Sequence, residues 1–254
     1  MKHAIVVLTR GYSDYNYYSK LIMRNKQIEI YLQAKDTDIL IFHEGNIVHQ
    51  EEICKETPSL KITFVDVKKD GLAFKKQYEN IKIDPETNGF GIGYRHMCSF
   101  WFVDFWHFVK EYDAILRIDE DCFIEFIPDI VFEKLQQAPM VTGLYEKDEP
   151  FVTKGLNHHT LQFIGNKLSR SPEPKSPSGP YTNLCGFSLT QLRKIPLLKE
   201  YIESVRACNK IYIQRWGDLP LWGEVNHYIL GNTLFVDTTL TYFHESHFKY
   251  INHS

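Results

Sequence analysis

Asp113-Ala-Ile-Leu-Arg-Ile-Asp119-Glu120-Asp121 is the stretch on which the reading of this 254-residue chain turns. Ala114 to Leu116 and Ile118 make a short apolar run, the signature of a buried strand. The run ends in three consecutive carboxylates, Asp119, Glu120 and Asp121. A buried carboxylate needs a partner, and three clustered ones need a cation. A strand that delivers Asp-x-Asp to its carboxyl end suits a hard divalent ion such as Mg²⁺ or Mn²⁺. The carboxyl ends of strands are also where open α/β sheets bind ligands. The same residues can be read as a solvated acidic turn, because Asp is favoured in turns.

The flanking sequence supplies further strands. Ala4 to Thr9, Thr37 to Phe42 and Leu60 to Asp66 are β-branched or apolar runs, and Ala138 to Tyr145 and Thr182 to Leu189 extend the series. Between them, Tyr15 to Leu32, Tyr94 to Val109, Ile195 to Cys208 and Leu219 to Leu230 carry helical patterns. Leu234 to Asp237 and Thr239 to Phe243 are short strands near the end. Strands that alternate with helices predict parallel βαβ units in a wound α/β sheet. No internal repeat or linker divides the chain, so a single domain over residues 1–254 is expected. Ser169 to Pro180, rich in Pro and Ser, reads as a mobile loop.

Composition narrows the function. A hydrophobic content of 43% and a charged content of 24% are ordinary for a soluble enzyme. The net charge of −3 leaves no basic footprint for nucleic acid. The five cysteines form no Cys-x-x-Cys pair, which argues against a structural zinc site, and a reduced compartment is the simpler setting. No apolar run approaches the roughly 20 residues that cross a bilayer. The expectation is a soluble, cytoplasmic protein, or a Golgi-lumen protein whose anchor has been removed.

Three more features join the acidic triplet. In Arg215-Trp216-Gly217-Asp218-Leu219-Pro220, Asp218 is either the cap of the following helix or a carboxylate held rigidly beside Trp216, whose ring can stack on a sugar. His244 ends a strand and can serve as a neutral imidazole ligand to a metal, or as a structural histidine. Glu146 follows another predicted strand and is a solvated charge unless it faces the same cleft. Gly89 to Gly93 is glycine-rich but lacks a dinucleotide or phosphate-loop spacing.

Several blocks together resemble the fungal α-1,2-mannosyltransferases of the Kre2/Mnt1 type, glycosyltransferase family 15. Gly93 to Phe100 resembles that family's Tyr-x-x-Met-Cys-Arg-Phe helix, and Tyr112 to Asp121 its Tyr-Tyr-Trp-Arg-Val-Glu-Pro-Asp strand. Asn183-Leu-Cys185, Gln214 to Pro220 and Thr241 to His244 are similar to its Asn-Leu-Cys, Arg-Trp-Gly-Asp-Ala-Pro and Gly-Tyr-x-His segments. Ala4 to Arg10 resembles its first strand, and the blocks keep the family's order over nearly the whole chain.

The resemblance implies a single-domain GT-A fold, a nucleotide-sugar donor (GDP-mannose in the family), Mn²⁺ or Mg²⁺, a carbohydrate acceptor, and transfer with retention. By position it implies Asp121, Asp119 and His244 for the metal site and Tyr94 for the donor. Asp218 matches the family's Trp-Gly-Asp carboxylate, and Glu146 a Glu after the next strand. Thr9, Arg10 and Asp66, at the ends of early strands, are expected to hold the nucleotide. Trp216 and Asp218 are expected to orient the acceptor, and Asn183 or Glu146 to stabilise the sugar cation. Glu120 is expected to be a bystander. The family's Glu after Asn-Leu-Cys is its usual nucleophile candidate, yet Gly186 to Leu192 holds no acidic residue. Front-face attack through an oxocarbenium-like state is therefore expected. The alternatives are a sugar- or nucleotide-binding module without catalysis and a metal-dependent nucleotidyltransferase.

Overall fold

A computed structural model describes residues 1–33, 36–169 and 172–252. The first half of the chain runs β1 (His3–Leu8), α1 (Ser19–Tyr31), β2 (Asp38–His43), α2 (Gln50–Glu56), β3 (Lys61–Asp66), α3 (Ile92–Ser99), β4 (Ala114–Ile118), β5 (Cys122–Ile124) and α4 (Asp129–Lys134). It continues β6 (Met140–Thr142), β7 (Tyr145–Lys147), α5 (Leu156–Leu168), β8 (Ser178–Pro180), β9 (Leu184–Ser188), α6 (Leu189–Leu192) and α7 (Pro196–Cys208). It ends with α8 (Lys210–Gln214), α9 (Asp218–Tyr228), β10 (Phe235–Val236), β11 (Tyr242–His244) and β12 (Lys249–Ile251).

Among the described residues the central sheet has the order β10-β6-β9-β4-β1-β2-β3. β3, β2, β1 and β4 are parallel, as are β6 and β10, whereas β9 runs antiparallel between β4 and β6. The sheet is thus mostly parallel, as expected, and the strand expected over Thr182 to Leu189 is its antiparallel member. β2 and β4 are buried along their whole length, as strands covered on both faces must be. Alternation sorts their side chains. Ala4, Val6, Leu40, Phe42 and Ile115 face an aromatic layer with Trp101, Phe105 and Trp222. Ile5, Ile39, Ala114, Leu116 and Ile118 face the layer that includes Ile28 of α1 and Val131 of α4.

Two local departures matter for the site. The helix expected over Tyr94 to Val109 is α-helical only to Ser99, then widens to a π turn over Phe100–Asp104 and tightens to a 3₁₀ turn over Phe105–His107. Single π turns of this kind recur at functional sites. The expected strand from Ala138 to Tyr145 is split into β6 and β7, and β7 pairs with β8.

The Pro-rich segment expected to be a mobile loop makes hydrogen bonds to its neighbours over its described part. Arg170 and Ser171 lie outside the described residues. Beyond them, Tyr228 donates to the Glu173 carbonyl at 2.9 Å, and the Lys175 N–H donates to Asn157 at 3.2 Å. The segment closes in β8, where a Cβ on Gly179 would meet the Leu219 carbonyl at 1.9 Å. β8 therefore lies on α9 at a distance only glycine permits.

A small sheet, β12-β11-β5, completes the site. β5 starts directly after Asp121, and its Cys122 pairs with His244 of β11. This antiparallel register carries His244 to the end of β4, although the two lie far apart in sequence.

Candidate active site

The carboxyl ends of β1, β2 and β4 open onto a cleft of ≈ 240 Å³. Its walls include Thr9, Arg10, Lys20, Glu44, Tyr94, Trp101, Arg117, Asp119, Glu120 and Asp121. Of the residues expected to form a site, the fold thus gathers Thr9, Arg10, Tyr94, Asp119 and Asp121 in one cavity, with His244 beside Asp121.

The acidic triplet is divided by its partners. Arg117 lies in the buried strand β4 and forks onto Asp119, with Nε at 2.7 Å from Oδ1 and Nη2 at 2.8 Å from Oδ2. Its Nη1 donates to Asp218 Oδ2 at 2.5 Å, and its guanidinium lies 4.4 Å from the Trp101 ring centre. Burial works against the Arg117 charge, but Asp119 and Asp218 outweigh it and push its pKa further up. Asp119, expected at the metal site, lines the cleft with both oxygens on this arginine.

Glu120, expected to be a bystander, lines the cleft and accepts from the Thr9 hydroxyl at 2.6 Å. Burial, reinforced by Asp121 and Asp119, raises its pKa. A second buried cation lies beneath the triplet. Arg24 of α1 is 1% exposed, and its Nε donates to the Ile118 carbonyl at 2.8 Å. Its charge is felt by Asp119 and Glu120, although burial lowers its pKa to about 10.

Asp121 meets an imidazole. Its Oδ2 is 3.4 Å from His244 Nε2, which is also 3.0 Å from the Ser246 hydroxyl. Burial raises the Asp121 pKa, but hydrogen bonds with His244 and Ser246 prevail and hold it well below the usual carboxylate range. His244 Nδ1 is 2.8 Å from the Tyr181 hydroxyl. A partner on one ring nitrogen fixes the tautomer and leaves the other for a metal.

Asp121, Cys122 and His244 each place a ligand atom within 4.8 Å of the others. Cis ligands about 2.1 Å from an octahedral ion lie about 3 Å apart, close to the Asp121–His244 separation. A carboxylate oxygen with an imidazole nitrogen suits Mn²⁺. Cys122 does not join them as a thiolate, because burial pushes its pKa well up. The donor set therefore fits the hard divalent ion that the acidic triplet suggests, through Asp121 and His244.

Other expected residues lie elsewhere. Asp66 accepts from the N–H groups of Lys68 (2.9 Å) and Lys69 (3.3 Å), capping a turn outside the cleft wall. Trp216 is 1% exposed and donates to the Lys154 carbonyl, so its ring is packed and offers no sugar platform. Glu146 is paired with Lys249. Asp218 is not the cap of α9, because Gly217 holds that position. Tyr94 accepts from Arg215 Nη2 at 2.6 Å, while Arg215 sits at φ +64°. Asn183 accepts from the Asp119 N–H through its carbonyl and from Tyr242 through Oδ1 (3.0 Å), and its buried Nδ2 has no partner.

The missing acid after Cys185 loses its significance here. Ser188 pairs with Ala114 and Leu184 with Ile118, so the chain beyond Cys185 runs away from the cleft. Gln191 donates to the carbonyls of Leu135, Gln136 and Ala138. A carboxylate there would lie at the opposite end of β4, about 15 Å from Asp119.

Arg117, Arg24 and Tyr181 went unread in sequence. The signals were present for two of them. Arg117 interrupts an apolar strand, and Arg24 with Asn25 falls in the Leu21–Ile28 stripe that α1 buries.

No family model matches the chain, and neither does any curated protein. Solved structures do match. The mannosyltransferase Ktr4p from S. cerevisiae aligns over 96% of this chain and 70% of its own, with 16% identity and a TM-score of 0.76. Core-mannan synthase A (CmsA/Ktr4) from Aspergillus fumigatus, in a Mn/GDP form, aligns over 96% and 75% with 14% identity and a TM-score of 0.75. Mouse xyloside xylosyltransferase 1 aligns over 93% and 85% with 13% identity and a TM-score of 0.53. The chain therefore has the GT-A fold of nucleotide-sugar glycosyltransferases, Ktr4-type mannosyltransferases among its structural neighbours.

Proposed function

We propose that this chain is a metal-dependent glycosyltransferase that moves a hexose, mannose from GDP-mannose, to a carbohydrate hydroxyl in α-1,2 linkage with retention. The observation that carries the reading is Asp121 beside His244 at the mouth of a cleft walled by Arg10, Lys20 and Tyr94. Asp121 and His244 would hold Mn²⁺ or Mg²⁺, and Tyr181 would hold the imidazole in register. When bound, such an ion neutralises charge on the leaving diphosphate.

The chain's own residues supply the rest. Arg10 and Lys20 are the cations that line the cleft nearest the diphosphate's expected place. Arg117 fixes Asp119 and Asp218 in place through three hydrogen bonds, so both side chains are held beside the cleft where positive charge would develop on the sugar. The partnerless Asn183 amide adjoins Asp119. Gly186 to Leu192 holds no acidic residue, which favours attack from the face the diphosphate leaves, with the departing phosphate taking the acceptor proton.

Asp121→Ala, assayed for transfer at saturating Mn²⁺, should lose more than about 100-fold in kcat/KM. Near-normal transfer by that variant would remove Asp121 from the site. Binding of GDP-mannose with no turnover by the wild type would favour a binding module instead.

A further inference from the structure

The turn that closes the small sheet is built from the site's own residues. The Glu245 N–H donates to the Asp121 carbonyl at 3.0 Å, and Glu245 pairs with Lys20, a cleft residue, at 3.2 Å. Ser246 touches His244, and the His247 ring stacks on the His244 ring at 4.6 Å. His244 pairs with Cys122 and with Lys249, so this turn lies at the cleft end of the sheet.

The next residue is Phe248. It is 86% exposed and sits at φ +47°, a backbone region that bulky side chains rarely occupy. A large aromatic ring is thus held in water, in a disfavoured conformation, beside the candidate metal ligands. Packing does not explain it, since the ring is solvated. Such outliers point to function when the surrounding structure enforces them. Here two restraints do so: the Phe248 N–H bonded to the Glu245 carbonyl at 2.9 Å, and the β11–β12 pairing on either side. Tyr250 lies two residues on, its ring tilted against that of Phe243 with centres 4.6 Å apart, which extends the aromatic surface from the turn.

We propose that Phe248 is the platform on which the acceptor sugar stacks, its ring against the apolar face of a pyranose. The chemistry favours a neutral carbohydrate. An aromatic ring offers an apolar face at little conformational cost, while the polar groups of Ser246 and His247 beside it suit sugar hydroxyls. Trp216, the ring expected to do this from sequence, is packed in the core. The proposal rests on the transferase reading above.

The test uses the full chain with GDP and Mg²⁺, and methyl α-D-mannopyranoside as probe. Saturation-transfer NMR should show the probe against aromatic protons in the wild type. Phe248→Ala should weaken probe binding roughly tenfold, and Phe248→Trp should restore it. GDP affinity should stay within about twofold in both variants. Unchanged probe binding by Phe248→Ala overturns the proposal. So does a loss that falls on GDP, which would make the turn a donor lid. Absence of GDP binding by the wild type would strike the transferase reading itself, a result the variants do not produce.

Discussion

Arg117 does more for the site than any residue expected to form it. One guanidinium satisfies Asp119 with two hydrogen bonds and Asp218 with a third; Arg117 and Asp218 are buried and Asp119 is partly so. The fork geometry explains why the residue is arginine, because an ammonium cannot meet one carboxylate with two parallel donors and still reach a second. Removing it strands two carboxylates in a low-dielectric wall. Arg117→Met should therefore cost about 3–5 kcal/mol in urea denaturation. A loss below about 1 kcal/mol would mean that water or rearrangement already compensates these charges. Asp121 differs from its neighbour two residues back only in what surrounds it. Asp119 meets a guanidinium, and Asp121 meets an imidazole and a hydroxyl.

Helix α9 links the site to the rest of the molecule. Asp218 at its start faces Arg117, and Glu224 in its middle is buried among Asn157, Thr160, Tyr201 and Tyr228. Burial raises the Glu224 pKa to about 7, against hydrogen bonds from Thr160 and Asn157 and the distant Lys175 charge. A raised carboxyl pKa means the folded state binds its proton more tightly than the unfolded state. Its effect on stability is therefore nil below about pH 4.5, where both states are protonated, and grows unfavourable as pH rises from about 4.5 to about 7, reaching on the order of 3 kcal/mol above that. Asp104, raised to about 6 by burial, acts in the same direction. Glu224→Gln should flatten the fall in Tm between pH 5 and about 7.5, leaving the smaller Asp104 contribution. Parallel Tm–pH profiles for the two proteins would show that Glu224 is not the titrating group.

At the scale of the whole molecule, the charge balance decides how far the fold depends on metal. Arg24 and Arg117 lie buried against the acidic triplet and Asp218, so the protein carries its own counter-ions. Asp119 meets Arg117 and the Arg24 charge reaches Glu120, whereas Asp121 meets His244. Folding should then be independent of metal. EDTA should shift Tm by less than about 2 °C without nucleotide, whereas GDP with Mn²⁺ should raise it by mass action. A drop of many degrees with EDTA alone would mean the ion is structural. Among the described residues, no helix is long and apolar enough to cross a membrane, and all five cysteines are free thiols.

The fold was largely legible because it rests on local signals. The apolar runs at Ala4 to Thr9, Thr37 to Phe42 and Asp113 to Ile118 are strands buried on both faces, and that burial writes itself into sequence without tertiary information. Strand direction is not local, so the reversal of β9 and the passage of the segment after Cys185 away from the cleft stayed hidden. Within the site, local pattern was enough to show that carboxylates end a central strand and that a histidine ends a late one. The partner that each carboxylate meets is set in three dimensions. That depends on Arg117, Arg24, Tyr181 and Ser246, whose influence acts over a few ångströms in space and has no fixed spacing along the chain.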